Sequence, residues 1–207
     1  MKNKFFLIGD STVDHETSGW GGKIHHFIKG EVINKAKSGR STKSYIDEGH
    51  WQEVLDEISP DNYILIQFGH NDQKLEDPSR GTHPYGDYQK NLKMFIETAH
   101  KKGAKPILLT PVQRRTFNAQ GEVENSLGDY PQAMKELAFE LNTPLIDLWA
   151  KTKAYYESLG TEQSKSLFSW YDIENQTCVP DDTHFNSNGA ELIAKLVAVE
   201  IQKKGLI

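Results

Sequence analysis

The chain has 207 residues, 37% of them hydrophobic and 26% charged, enough for one domain (1–207) with a sizeable core and no linker, repeat or low-complexity tract. Its formal net charge of -5 and scattered lysines argue against a polyanion-binding surface, and so against nucleic acid as a partner. The single cysteine, Cys178, excludes an internal disulfide, and no apolar stretch approaches the roughly 20 residues needed to cross a bilayer. The start Met1-Lys2-Asn3-Lys4 is basic, but the apolar run behind it is too short for a signal-peptide core, so a cytoplasmic protein is expected.

That run, Phe5-Phe6-Leu7-Ile8, stops abruptly at Gly9-Asp10-Ser11-Thr12. The pattern predicts a buried strand whose C-terminal end delivers a serine into a turn, where ligands collect in open α/β sheets. The polar stretch to Gly22 predicts a loop, 24–28 part of a helix with His25 and His26 on its surface, and 32–36 a second strand leading to Ser38-Gly39-Arg40-Ser41. Apolar positions at helical spacing over 40–58 predict a helix ended by Ser59-Pro60. A third buried strand over 63–68 then delivers Gly69-His70-Asn71-Asp72.

Residues 75–86, rich in proline, glycine and charge, predict a border loop. The next helix sets Tyr88, Leu92, Phe95, Ile96 and Ala99 on one face and stops at Gly103. A fourth strand over 106–109, a polar loop over 113–128, a helix with Met134, Leu137, Ala138 and Leu141 inward, and a fifth strand over 144–148 follow. Asn186-Ser187-Asn188 offers an N-cap to a last helix with Leu192, Ile193, Leu196, Val197 and Val199 as its core stripe. Strands alternating with helices predict an α/β fold, a parallel sheet covered by helices on both faces.

Ser11, Gly39 and Asn71 each fall just past the C-terminal end of a predicted strand. A serine hydroxyl is a weak nucleophile near neutral pH and needs a base, an orienter for that base and oxyanion donors. Asp181-Asp182-Thr183-His184 supplies a carboxylate and an imidazole that can meet within one loop. His184 is the candidate base and Asp181 its orienter, with Asp182 directly beside them as a second acid. The Gly39 NH, open to close approach because no Cβ intervenes, the Asn71 amide and the Ser11 NH would form a three-donor oxyanion hole. Asp10 reads as a structural acceptor for turn NH groups. The turn is Gly-Asp-Ser-Thr-Val, which disfavours the α/β-hydrolase elbow with its second glycine.

Plainer readings stand beside these. A serine after a strand is more often a turn or cap residue than a nucleophile, and it is the ordered set of motifs that favours chemistry. His70, Asp72, Asp181 and His184 could instead ligate a metal, a reading that leaves Ser11 and Gly39 without tasks. Cys178 reads as an ordinary loop or buried cysteine. Arg40, Arg80, Arg114 and Arg115 read as a solvated face or as a border of the site, and Trp20, Trp51, Trp149 and Trp170 as core residues or stacking platforms.

The blocks at 9–12, Gly39, 69–72 and 181–184, in this order, resemble those of the SGNH hydrolases, also called GDSL esterases. The runs at 110–115 (Thr-Pro-Val-Gln-Arg-Arg), Gly128-Asp129-Tyr130-Pro131 and 164–170 resemble the rhamnogalacturonan acetylesterase branch, so that the resemblance covers nearly the whole chain. It implies a three-layer, flavodoxin-like strand order in a five-stranded sheet. It also implies a serine esterase that removes O-acetyl groups from a carbohydrate of pectic type through an acetyl-enzyme, without metal or organic cofactor. The implied partner is a small acetylated oligosaccharide, met by His70, Arg114, Arg115 and Trp170, with Arg114-Arg115 pairing to uronate carboxylates. A lipid or thioester esterase with the same triad, or a catalytically silent carbohydrate-binding protein, are the other classes considered. The first would need an acyl groove, which no long apolar loop supplies, and the second would leave the four blocks unexplained.

Overall fold

Phe5, Phe6, Leu7 and Ile8 are all buried, a pattern expected of a strand covered on both faces of its sheet. They belong to β1 (Lys4–Gly9), seen in a computed structural model that describes residues 3–172 and 177–207. β1 pairs in parallel with β2 (Glu31–Asn34) on one side and β3 (Tyr63–Gln67) on the other. β4 (Lys105–Leu109) and β5 (Leu145–Ile146) extend the sheet, giving the flavodoxin-like order β2-β1-β3-β4-β5. The expected five-stranded parallel sheet is the one observed.

Because side chains alternate along a strand, the buried runs divide between two cores. Phe5, Leu7, Leu65 and Ile107 face one cluster, packed under α5 (Leu148–Gln163) and α6 (Ser187–Lys203) through Tyr156, Ile193, Val197 and Ile201. Phe6, Ile8, Ile64, Ile66 and Leu108 face the other. It is covered by α1 (Thr42–Asp47), α2 (His50–Glu57), α3 (Gln89–Lys101) and α4 (Tyr130–Glu140).

Several elements differ from expectation. The helix expected over 40–58 is two, because Gly49 adopts φ +82° between α1 and α2, a left-handed conformation that glycine takes without a Cβ penalty. The helix expected at 24–28 is reduced to short 3-10 turns, Trp20–Gly22 and Ile24–His26, with His25 and His26 exposed. α5 was not expected: its N-terminus is capped by Asp147, which accepts from the Ala150 NH, but its buried positions are only Leu148, Thr152 and Tyr156. A small antiparallel strand pair, β6 (Tyr171–Asp172) and β7 (Thr177–Cys178), precedes the 181–184 loop. Among the described residues no helix is long and apolar enough to cross a membrane.

Candidate active site

The site starts from the turn that ends β1. A Cβ on Gly9 would lie 2.6 Å from the Gln67 carbonyl oxygen and from Val13 Cγ2, so the close approach of β1 to its neighbours depends on glycine. Asp10, fully buried, accepts at Oδ1 from the Thr12 NH (2.9 Å) and the Thr12 hydroxyl (2.8 Å). Its Oδ2 lies 3.2 Å from His70 Nδ1. Burial opposes ionisation of Asp10, but the adjoining His70 ring and the Thr12 bonds outweigh it and hold the carboxyl below the ordinary range. The turn is braced further by a buried chain in which Trp20 Nε1 donates to Gln67 Oε1 (3.0 Å) and Gln67 Nε2 donates to Thr12 Oγ1 (2.6 Å). Asp10 thus has the structural task expected of it.

Ser11 sits above this bracing, 8% exposed, with Oγ 3.0 Å from His184 Nε2. On the other side of the ring, Nδ1 is 2.8 Å from Asp181 Oδ2. A carboxylate only accepts, so in the neutral ring Nδ1 carries the hydrogen and Nε2 is left to accept from the Ser11 hydroxyl. The second oxygen of Asp181 accepts from the NH groups of Thr183 and His184, each at 2.8 Å. Partial burial opposes ionisation of Asp181, and these bonds together with the His184 ring bring its carboxyl below the usual range.

The two neighbouring aspartates point to different partners. Asp182 Oδ1 accepts from Arg115 Nε (2.6 Å) and Trp170 Nε1 (3.0 Å), and its carbonyl accepts from the Arg115 NH (2.8 Å). The Trp170 ring lies under the Arg115 guanidinium at 4.7 Å and near the Lys165 ammonium at 4.6 Å. Arg115, expected at the border, is instead buried, its side chain 5% exposed, and Nη1 donates to the Thr161 carbonyl at 2.7 Å. Arg115 and Trp170 therefore hold the 181–184 loop, which the sequence did not indicate. The loop is tied at its far end by the Phe168–Phe185 bridge and by the Asn186 cap on α6.

The ends of β2 and β3 carry the other residues expected at the site. Gly39 has φ +77°, and nothing lies within 4 Å of where its Cβ would be. Asn71, buried, donates from Nδ2 to the Arg40 carbonyl at 3.1 Å and accepts at Oδ1 from Lys74 Nζ at 3.0 Å. Asp72 Oδ1 accepts from the Thr42 NH (3.1 Å), the Thr42 hydroxyl (2.6 Å) and the Thr82 hydroxyl (2.8 Å), joining the β2 loop to the β3 loop. Burial pushes the Asp72 carboxyl up to about 7, with the Asp10 charge adding and the threonine bonds opposing. The Lys74 contact was missed, although a lysine three residues after the asparagine was a usable signal.

The remaining expected residues fall as follows. His70 is buried, and no hydrogen-bond partner among the described residues meets its Nε2. Arg114 is half-buried; Nη1 donates to the Ser126 carbonyl at 3.2 Å, and both Nη atoms meet the Gln73 amide oxygen in that amide's favourable orientation. Arg40 pairs with Glu48 and Arg80 with Asp77. Trp20 and Trp51 are core residues, the latter donating to Thr98 Oγ1 at 3.1 Å. Among the described residues no group of three or more His, Cys, Asp or Glu side chains could hold a metal ion; His70, Asp72, Asp181 and His184 are not gathered into one. The side chain of Cys178 lies outside the described set.

A parallel sheet of this order carrying the Ser11, Gly39, Asn71 and Asp181/His184 constellation at its C-terminal edge defines a GDSL-type ester hydrolase. The family model of the GDSL-like lipase/acylhydrolases matches residues 5–197, and the chain belongs to this family of carboxylic-ester hydrolases. It is 47% identical to the rhamnogalacturonan acetylesterase RhgT of Bacillus subtilis (strain 168), across 97% of this chain and 90% of that protein. The crystal structure of YxiM from Bacillus subtilis superposes with a TM-score of 0.84 at 27% identity, covering 99% of this chain and 57% of that one. The acetylxylan esterase Axe2 from Geobacillus stearothermophilus shares the fold, with a TM-score of 0.69 at 20% identity over 96% of this chain and 94% of that one.

Proposed function

We propose that this chain is a serine esterase that removes O-acetyl groups from a carbohydrate, a pectic oligosaccharide of rhamnogalacturonan type. The unbroken relay from Asp181 through His184 to Ser11 is the observation that carries the reading. Ser11 Oγ attacks the acetyl carbonyl while His184 Nε2 takes its proton, and Asp181 stabilises the imidazolium that forms. Charge on the tetrahedral oxygen is met by the NH groups of Ser11 and Gly39 and by the Asn71 amide. The intermediate collapses with return of the proton from His184 to the departing sugar oxygen, leaving Ser11 acetylated. Water, deprotonated by His184, then attacks the acetyl-enzyme; acetate departs, and the proton returns to Ser11.

Similarity to RhgT over most of both chains supports the substrate class. The test is release of p-nitrophenol from its acetate ester by wild type and by a folded Ser11→Ala variant, with chelator present throughout. Activity in wild type and a loss of more than about 1,000-fold in the variant are expected. Turnover surviving the substitution would remove Ser11 from the mechanism. Acetate release from acetylated rhamnogalacturonan oligosaccharides, measured beside acetylated xylan oligosaccharides and longer acyl esters, then tests the sugar, and preference for a long acyl chain would overturn the carbohydrate assignment.

A further inference from the structure

The Asn71 amide offers one acceptor and two N–H donors to its surroundings. The acceptor, Oδ1, receives a hydrogen bond from the Lys74 ammonium at 3.0 Å, and Nδ2 donates to the Arg40 carbonyl at 3.1 Å. Lys74 reaches back because the chain turns between them, with the Lys74 NH donating to the Asn71 carbonyl at 3.2 Å. Reversing the amide would set its NH2 against an ammonium and its oxygen against a carbonyl, and both contacts repel. A cation on one side and an acceptor on the other therefore fix the amide plane and leave one N–H of Asn71 uncommitted to either.

We propose that Lys74 is a positioning residue of the oxyanion hole, acting through Asn71. Its ammonium draws electron density toward Oδ1, which strengthens the remaining N–H as a donor, and it holds that N–H at a fixed angle. Among the described residues no carboxylate lies within ion-pair distance of Lys74 Nζ, and its side-chain partner is the Asn71 amide oxygen. Instead Lys74 is half-buried near Arg80 and Arg114; burial and these two cations make protonation harder, with Asp77 and Glu76 opposing them. A lysine kept in cationic company, bonded to a neutral amide, serves that amide better than it serves surface charge balance.

The inference rests on the reading of Asn71 as an oxyanion donor, and the experiment separates the two. Lys74→Met, Lys74→Arg, Asn71→Ala and the double variant Asn71→Ala/Lys74→Met are assayed on p-nitrophenyl acetate, each checked for folding by its melting temperature. Asn71→Ala is expected to lower kcat by about 100- to 1,000-fold. Lys74→Met is expected to lower kcat by about 10-fold with KM little changed, and Lys74→Arg to recover most of that, since a guanidinium also donates to Oδ1. Phosphorylation of Ser11 by diethyl p-nitrophenyl phosphate, which builds negative oxygen in the same place, should slow in parallel. The double variant should be no slower than Asn71→Ala alone. Wild-type turnover in Lys74→Met beside an impaired Asn71→Ala would overturn the role of Lys74. So would a Lys74→Met loss that persists undiminished on the Asn71→Ala background, because Lys74 would then act by another route. Full activity in Asn71→Ala would overturn the oxyanion reading itself.

Discussion

The two halves of the site are held in place by different means. Ser11, Gly39 and Asn71 follow strands β1, β2 and β3, which lie side by side, and the loops after β2 and β3 are joined by a part-buried bond from Asn71 to Arg40 and a buried one from Thr42 to Asp72. The Asp181 and His184 loop follows no strand of that sheet. It is fixed from outside, by Arg115 and Trp170 gripping Asp182, one residue from the aspartate that touches the imidazole. Ser11, Gly39 and Asn71 are thus brought near one another by neighbouring strand ends, whereas the Asp181 and His184 loop is held by a side-chain latch.

The largest expected effect breaks the relay itself. Asp181→Asn keeps the size of the side chain but lets an amide NH2 face His184 Nδ1, which favours the tautomer with hydrogen on Nε2 and removes the acceptor for the Ser11 proton. A fall in kcat of about 10,000-fold on p-nitrophenyl acetate is expected. The latch gives the next effect. Asp182→Asn leaves the Arg115 guanidinium buried beside a neutral acceptor, so the loop is held less firmly and the melting temperature falls. Its kcat should drop by about 10-fold with KM nearly constant, a loss of positioning that leaves the reacting groups intact. If Asp182→Asn proved more damaging than Asp181→Asn, the assignment of the two carboxylates would be reversed.

The same contrast governs what could be read from sequence. β1, β3 and β4 were legible because each is a short apolar run buried on both faces and ended by a polar turn, and Ser11, Gly39 and Asn71 stand out as candidates by their position after strands. α5 was not read from the sequence: its inward stripe of Leu148, Thr152, Tyr155, Tyr156 and Leu159 includes a polar threonine, and Gly160, at φ +72°, interrupts the segment. The break at Gly49 was hidden because apolar positions keep helical spacing on both sides of it. Asp181 was legible as the partner of His184, but the role of Asp182 was not, because its partner Arg115 is 67 residues away and, viewed alone, looks like a surface cation. Trp20 and Trp51 were ambiguous for a similar reason: what makes them core residues is that Gln67 and Thr98 accept their indole hydrogens inside the fold. Local patterns report strand ends well, and they say little about contacts made across the chain.

The last expected effect, on stability, sharpens the comparison through pH. Asp72 braces the loops after β2 and β3 much as Asp182 braces the 181–184 loop, but its carboxyl is pushed up to about 7 by burial, with the nearby Asp10 charge adding. Between the ordinary carboxylate range and that value, the folded protein retains a proton that the unfolded chain has released. The free energy of unfolding therefore falls as pH rises through this window and levels off above it. In Asp72→Asn the amide oxygen still accepts from Thr42 and Thr82, and the titration is gone. Denaturant unfolding from about pH 5 to about pH 8 should show the wild type losing stability relative to Asp72→Asn as pH rises. Parallel stability profiles would show that the threonine donors keep Asp72 ionised throughout, and that both halves of the site are braced by permanent charge.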